Sequence, residues 1–189
     1  MIETLRRRLG DALVSHETVC GDDVLTLRPE AAHEALRMLR DDPEFAFTML
    51  MDLFGMDQPA PSGERFAVVY QLVSPSHLRR LRLKVRLGAE APEAASVVGL
   101  WPAADWLERE TYDLFGIGFK GHPDLRRILL PDGYEGHPLR KDYPLQGHGE
   151  RGAFSSQTDR TPLGDLLEQQ GGGGRKEMLT DGPVREARP

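Results

Sequence analysis

Between residues 108 and 123 the chain reads ERETYDLFGIGFKGHP, which gathers the carboxylates Glu108, Glu110 and Asp113, the guanidinium of Arg109 and the imidazole of His122. Glu110 and Asp113 are three apart and would share one face of a helix. Such a pair could serve as general acid and base or hold a metal, provided the two carboxyls sit in unlike, partly buried surroundings. The plainer alternative is a charged helix face on which Arg109 pairs with Asp113 at i+4. His122 and His137 each stand in Gly-His-Pro, at 121–123 and 136–138. With carboxylates nearby they could ligate zinc. Catalytic zinc ordinarily takes three protein ligands on rigid elements, and these histidines fall on proline-flanked loops. There each would instead bond backbone within a fixed turn. Arg126, Arg127, Arg140 and Lys141, with Asp142, form a basic cluster suited to phosphate, to a partner's carboxylates or to water. The stretch 108–123 holds no serine or cysteine nucleophile and no glycine-rich phosphate loop.

The elements that must position these groups are legible from periodicity. "WPAADWLERETYDLFG" predicts a helix opened by Pro102, with Asp105 and Glu108 toward its positive end and Gly116 as its stop. Its expected apolar stripe is Leu107, Thr111, Leu114 and Phe115. Earlier helices are expected over 2–9, with Ile2, Leu5 and Leu9 on one face, and from Pro29, with Ala32, Leu36 and Leu39 at helical spacing and Pro43 beyond the end. Short strands are expected over 13–20 and 24–28, and longer ones over 45–54, 65–74 and 77–87. The last alternates cleanly, with Leu81, Leu83, Val85 and Leu87 opposite Arg80, Arg82, Lys84 and Arg86. The strand over 65–74 is apolar on both faces, as a central strand would be. The expected fold is α+β, a two-layer sandwich of an antiparallel sheet with helices. The expected division is an α+β domain over 1–125, an extended motif segment over 126–145, and an extended or partly disordered tail over 146–189. The tail is rich in Gly, Ser, Gln and mixed charge, with a flexible joint at Gly171–Gly174.

Composition narrows the function. A net charge of −6 argues against a general nucleic-acid binder. The basic row Arg80–Arg86 lacks interleaved stacking aromatics, so it reads as a charged outer face that also protects a sheet edge. The single cysteine, Cys20, cannot by itself form an internal disulfide or supply an iron–sulfur or zinc cage, and is expected as a small core residue. The N-terminus has basic residues with no apolar run behind them, so no secretory signal is expected. No stretch approaches the ~20 apolar residues of a spanning helix, so membrane association would come through partners only. "LLPDGYEGHPLRKDYPL" is ordered in character but non-periodic, and is expected to leave Tyr134, Leu139 and Tyr143 uncovered.

Glu108-Arg109-Glu110, Asp113-Leu114-Phe115, His122, Arg126 and Ile128-Leu129, followed by "GHPLRKDYPL" with His137, Arg140, Lys141, Asp142 and Tyr143, resemble the hallmark of the C subunit of NADH:quinone oxidoreductase, respiratory complex I. The resemblance is close from about 100 to 145 and looser over 1–99. It implies an α+β domain of ferredoxin-like character in the hydrophilic peripheral arm of a proton-pumping complex, on the cytoplasmic side of the bacterial inner membrane. It implies a structural and assembly role without catalytic residues. NADH, FMN, iron–sulfur clusters and quinone would belong to the whole complex and none to this chain. The partners would be the quinone-pocket subunit and the terminal-cluster subunit. Glu108, Arg109, Glu110 and Asp113 would orient the helix end and the following loop, and Arg126, Arg127, Arg140 and Lys141 would meet acidic groups or backbone carbonyls of the neighbour. Many members continue differently after "KDYPL"; here "QGHGERGAFSSQTDR" follows, expected as a tail lying on a partner. An equivalent subunit of a membrane-bound hydrogenase or other quinone-linked complex would share the module. Without the resemblance, the residues leave open a stand-alone carboxylate or metal enzyme using Glu110, Asp113 and His122.

Overall fold

The chain opens with helix α1 (Ile2–Leu9), whose Leu5 and Leu9 are buried, and a single 3-10 turn at Gly10–Ala12 leads into the hairpin of β1 (Leu13–Val19) and β2 (Asp22–Leu27). These assignments come from a computed structural model that describes residues 2–58, 63–131 and 133–148. Helix α2 (Pro29–Asp41) starts at the proline, whose fixed φ suits a first helical position, and buries Ala32, Ala35, Leu36 and Leu39. Strands β3 (Met49–Asp57), β4 (Glu64–Ser74) and β5 (Arg79–Gly88) form an antiparallel meander. A short strand β6 (Glu93–Ala95) precedes helix α3 (Ala104–Phe115), and β7 (Gly118–Lys120) pairs with β6 in parallel.

The expected α+β two-layer sandwich is present, and the alternation read for β5 holds: Leu81, Leu83, Val85 and Leu87 are all buried. The large sheet runs β1-β2-β5-β4-β3. It is mixed, not wholly antiparallel, because β5 returns beside β2 in parallel. The connection from β2 through α2, β3 and β4 supplies the long crossover that a parallel pair requires. Strand β5 is therefore central, and its basic row guards no edge. One core cluster joins Leu5, Leu36 and Leu39 from the helices to Val68, Tyr70, Leu83 and Val85 from the sheet.

Three further expectations need correction. Strand β3 starts at Met49 rather than residue 45. Phe45 and Phe47 instead plug the end of the sandwich, 1% and 0% exposed, in a turn where the Phe45 and Ala46 amides donate to the Asp42 carbonyl. Cys20 is exposed in the β1–β2 turn rather than buried, at φ 51 next to Gly21 at φ 85. Of the stripe expected on α3 only Thr111 is buried; Leu107, Leu114 and Phe115 are half-buried, and the other buried residues are Ala104, Glu108, Arg109 and Asp113. Of the tail expected over 146–189, residues 149–189 lie outside the described residues.

Candidate functional site

Burying charge along a helix is costly unless each group finds partners. Helix α3 finds them in the chain that follows it. Asp113, 0% exposed, accepts three consecutive backbone N–H groups on Oδ2, from Ile128 (3.0 Å), Leu129 (2.8 Å) and Leu130 (2.9 Å). Its Oδ1 accepts from Arg127 Nη1 at 2.9 Å. Burial alone would push this carboxyl up. The three amides and the guanidinium outweigh it and hold Asp113 below the usual carboxylate range.

The C-terminal end of α3 is closed by the second Gly-His-Pro motif. A helix leaves its last four carbonyls without helical partners. Here the Tyr112 carbonyl accepts from the Gly116 amide at 2.8 Å, and the Leu114 carbonyl from the Leu139 amide at 3.1 Å. The Asp113 carbonyl faces His137 Nδ1 at 2.9 Å, which sets that nitrogen as the protonated one. The Phe115 carbonyl accepts from Arg140 Nε at 2.6 Å. Gly116 adopts the left-handed conformation, φ 69, and a Cβ there would lie 2.5 Å from both His137 Nε2 and Arg140 Nη2. Only glycine allows the cap and the close approach together. His137 is held below its ordinary value by burial and by the neighbouring Arg140 and Arg127 charges.

The first Gly-His-Pro motif fastens the other end. The His122 side chain is wholly buried, and its Nδ1 accepts the Asp124 amide at 3.0 Å. The opposite Nε2–H faces the Asp105 carbonyl at 3.2 Å, Asp105 Oδ1 at 3.3 Å and Glu108 Oε2 at 4.0 Å. Glu108 Oε1 accepts the Val97 amide at 2.6 Å, while Glu108 Oε2 and Asp105 Oδ1 are buried without a hydrogen bond among the described residues. Burial pushes the Glu108 carboxyl up, against the Val97 amide, Ser96 and His122. Both histidines thus bond backbone in fixed turns, as the plainer alternative predicts.

Arg109 does not pair with Asp113. Its Nε donates to the Arg126 carbonyl at 3.2 Å and its guanidinium lies 5.1 Å from the Trp106 ring centroid. Of the residues expected at a partner contact, Glu108 and Asp113 are enclosed within the chain, and Arg127 and Arg140 bond its own carbonyls. Glu110, Arg126 and Lys141 face outward, Arg126 pairing with Asp124 at 2.9 Å. Tyr134 and Tyr143 are half-buried, not uncovered, with their hydroxyls 2.8 Å apart; Leu139 is 51% exposed.

Sequence reasoning missed Asp57 and Arg65. Asp57, at the end of β3, takes a two-pronged bond from Arg65, Nε to Oδ1 at 2.9 Å and Nη2 to Oδ2 at 2.7 Å. The Lys141 amide adds a third at 2.7 Å. Arg65 hydrogen bonding outweighs burial and keeps the Asp57 carboxyl low. Arg65 Nη1 also reaches Asp142 at 2.8 Å, and the Arg140 guanidinium lies 5.0 Å from the Phe66 ring. The one available signal was an aspartate closing a strand whose only other charged residue is Asp52.

Among the described residues no three His, Cys, Asp or Glu side chains converge as metal ligands. The donor set does not suit an iron–sulfur cluster, which takes four cysteine thiolates or a mix with histidine, because the sole cysteine stands exposed in a hairpin turn. Among the described residues no helix is long and apolar enough to cross a membrane.

Fold and site together define a class: an α+β sandwich whose conspicuous charged residues lock an extended segment onto one helix. The chain belongs to the family described as respiratory-chain NADH dehydrogenase, 30 Kd subunit, which it matches over residues 25–149. It is 49% identical over 150 residues to the NADH-quinone oxidoreductase C subunit of Methylobacterium radiotolerans, covering 79% of this chain and 69% of that protein. It is 46% identical over 160 residues to the protein of the same name from Roseiflexus sp. strain RS-1, covering 85% and 90%. A solved trypsin-resistant fragment of Nqo5 superposes with a TM-score of 0.57 at 37% identity, over 66% of this chain and 96% of the fragment. A chain of an archaeal respiratory membrane complex, the membrane-bound sulfane sulfur reductase, shares the fold at TM-score 0.63 and 16% identity, over 97% of this chain and 96% of that chain.

Proposed function

We propose that this chain is a structural and assembly subunit of the peripheral arm of a proton-translocating NADH:quinone oxidoreductase, and carries no catalytic group itself. One observation carries the reading beyond family membership. Asp113, His122, Arg127, His137 and Arg140 all fasten residues 121–148 to α3. The chemistry-bearing residues are engaged in shaping a surface. Its outward remainder, Glu110, Arg126, Leu139 and Lys141, meets the subunit that builds the quinone pocket and its neighbour with the terminal cluster. NADH, flavin, iron–sulfur clusters and quinone are carried by other chains. The chain is held at the cytoplasmic side of the inner membrane through those partners.

The test is a gentle-detergent pull-down of the tagged chain from its native membranes, with mass spectrometry of the co-purifying chains and an assay of NADH-dependent quinone reduction. The expected result is co-purification of quinone-pocket and cluster-bearing subunits together with that activity. Recovery with a nickel-bearing chain would move the assignment to a hydrogenase. Recovery as a lone chain with bound metal would overturn it.

A further inference from the structure

A two-layer sandwich leaves one face of its sheet without a covering layer. The buried side chains of α1 and α2 belong to the core cluster with Val68, Tyr70, Leu83 and Val85, and α3 crosses Gly55 on that same face. The opposite face carries Arg80, Arg82, Lys84 and Arg86 along central strand β5, and no described helix lies over it. Arg80 pairs with Asp22 at 3.0 Å. Among the described residues Arg82, Lys84 and Arg86 have no carboxylate at ion-pair distance; Arg82 bonds only Gln71 Oε1 and Arg86 the Gln58 carbonyl. In a chain of net charge −6 this is a local reversal of sign.

Beside this row runs an apolar strip. Registry places Val73, Val69 and Ala67 of β4 opposite Arg80, Lys84 and Arg86, and Phe54 and Met56 of β3 next beyond. Val69 and Ala67 are buried yet stand outside the main core cluster, so they belong to this second face. At the edge strand β3, Met49 and Met51 are 46% and 57% exposed.

We infer that this face receives an acidic amphipathic helix from a neighbouring subunit, an inference that rests on the subunit reading above. Spacing argues for a helix. Alternate residues of a strand repeat every ~6.7 Å, close to the ~6 Å rise between i and i+4 of an α-helix. Carboxylates at i, i+4 and i+8 would meet Arg82, Lys84 and Arg86 in turn, with the helix's apolar side on the half-buried Val73, Phe54 and Met56. Width argues the same way. Glu17 and Asp52 flank the row of Arg82 from β1 and β3, each two strands from β5. At ~4.8 Å per strand they stand ~10 Å away, so a helix ~10 Å across lies between them. A broad anionic bilayer would meet both carboxylates. RNA would find a single aromatic, Phe54, half-buried, on which to stack.

The test uses the intact complex from native membranes and the isolated full chain. Acetylation of Lys84 is expected to be at least tenfold slower in the complex. Zero-length carbodiimide coupling is expected to join Lys84 to an Asp or Glu of another polypeptide. The double variant Arg82→Glu/Lys84→Glu is expected to lower recovery of the other subunits roughly tenfold, with the melting curve of the isolated variant unchanged. Equal acetylation in both states, coupling only to carboxylates of this same chain such as Glu17, Asp52 or Glu64, which lines one cavity with Lys84, or undiminished recovery by the double variant would overturn the inference. Lys84-dependent sedimentation with phosphatidylglycerol vesicles would assign the face to lipid and overturn it as well. Recovery of the oxidoreductase subunits with Lys84 unprotected removes the helix site alone. Recovery of no such subunits removes the subunit reading, and the helix site with it.

Discussion

The backbone amide of Lys141 donates to the carboxylate of Asp57 at 2.7 Å, across 84 residues of sequence. This bond joins the end of β3 to the segment that caps α3. The same carboxylate holds the Arg65 fork, and its side chain is 1% exposed. Asp57→Ala strips one amide and one guanidinium of their acceptor and should cost about 3 kcal/mol of folding free energy. Urea unfolding of the isolated chain checks this. A midpoint within error of the parent would show that the bond contributes nothing. Amide exchange at Lys141 should accelerate in the same variant.

Arg126 and Arg127 adjoin in sequence and differ in surroundings. The Arg127 side chain is 22% exposed and bonds the fully buried Asp113; that of Arg126 is 73% exposed and, among the described residues, pairs only with Asp124. Arg127→Ala should cost ~2 kcal/mol by leaving a buried carboxylate short of a charged partner. Arg126→Ala should stay within ~0.5 kcal/mol, as surface pairs do. If the isolated chain loses as much stability from the second change as from the first, the two placements are wrong.

The periodic parts of this fold were legible because periodicity reports burial. Leu81, Leu83, Val85 and Leu87 could only be one buried face, and Pro29 and Gly116 mark helix ends for reasons local to the chain. The parallel pairing of β2 with β5 was not legible, because no local pattern encodes which strand a meander returns to. The inner face of α3 runs against its apolar spacing, since Glu108 and Asp113 are the buried groups, partnered by residues 11 to 17 positions away. The family motif announced that those residues matter. The resemblance also implies that they orient the helix end and the following loop; it did not announce that backbone amides are the groups they bind.

Gly116 tests the cap directly. An alanine there would carry a Cβ at φ 69, with His137 Nε2 and Arg140 Nη2 each 2.5 Å away. Left-handed strain of ~1 kcal/mol adds to the displacement of two capping side chains, so Gly116→Ala should cost about 2–3 kcal/mol in all. Limited proteolysis should then cut within 137–148 before any other described segment. Unchanged protection there would mean that the cap does not hold the segment.

The pH dependence has opposing contributions. Asp57 and Asp113 have folded values below their unfolded ~3.9, so their stabilisation is complete above ~4 and is lost as pH falls through the folded values. His137 is also held low, so its neutral form favours the fold; that contribution is complete above ~6.5 and is lost as pH falls through its folded value. Glu108 runs the other way. Its folded value is raised by burial, so its contribution is complete below ~4.3 and is lost as pH rises through the folded value. Glu108→Gln removes that loss and keeps an oxygen for the Val97 amide. The variant should therefore be more stable than the parent at pH 7–8, with the advantage shrinking toward pH 4. Thermal unfolding across that range decides it. A variant less stable than the parent at pH 8 would mean that the charged carboxylate is what the fold requires there.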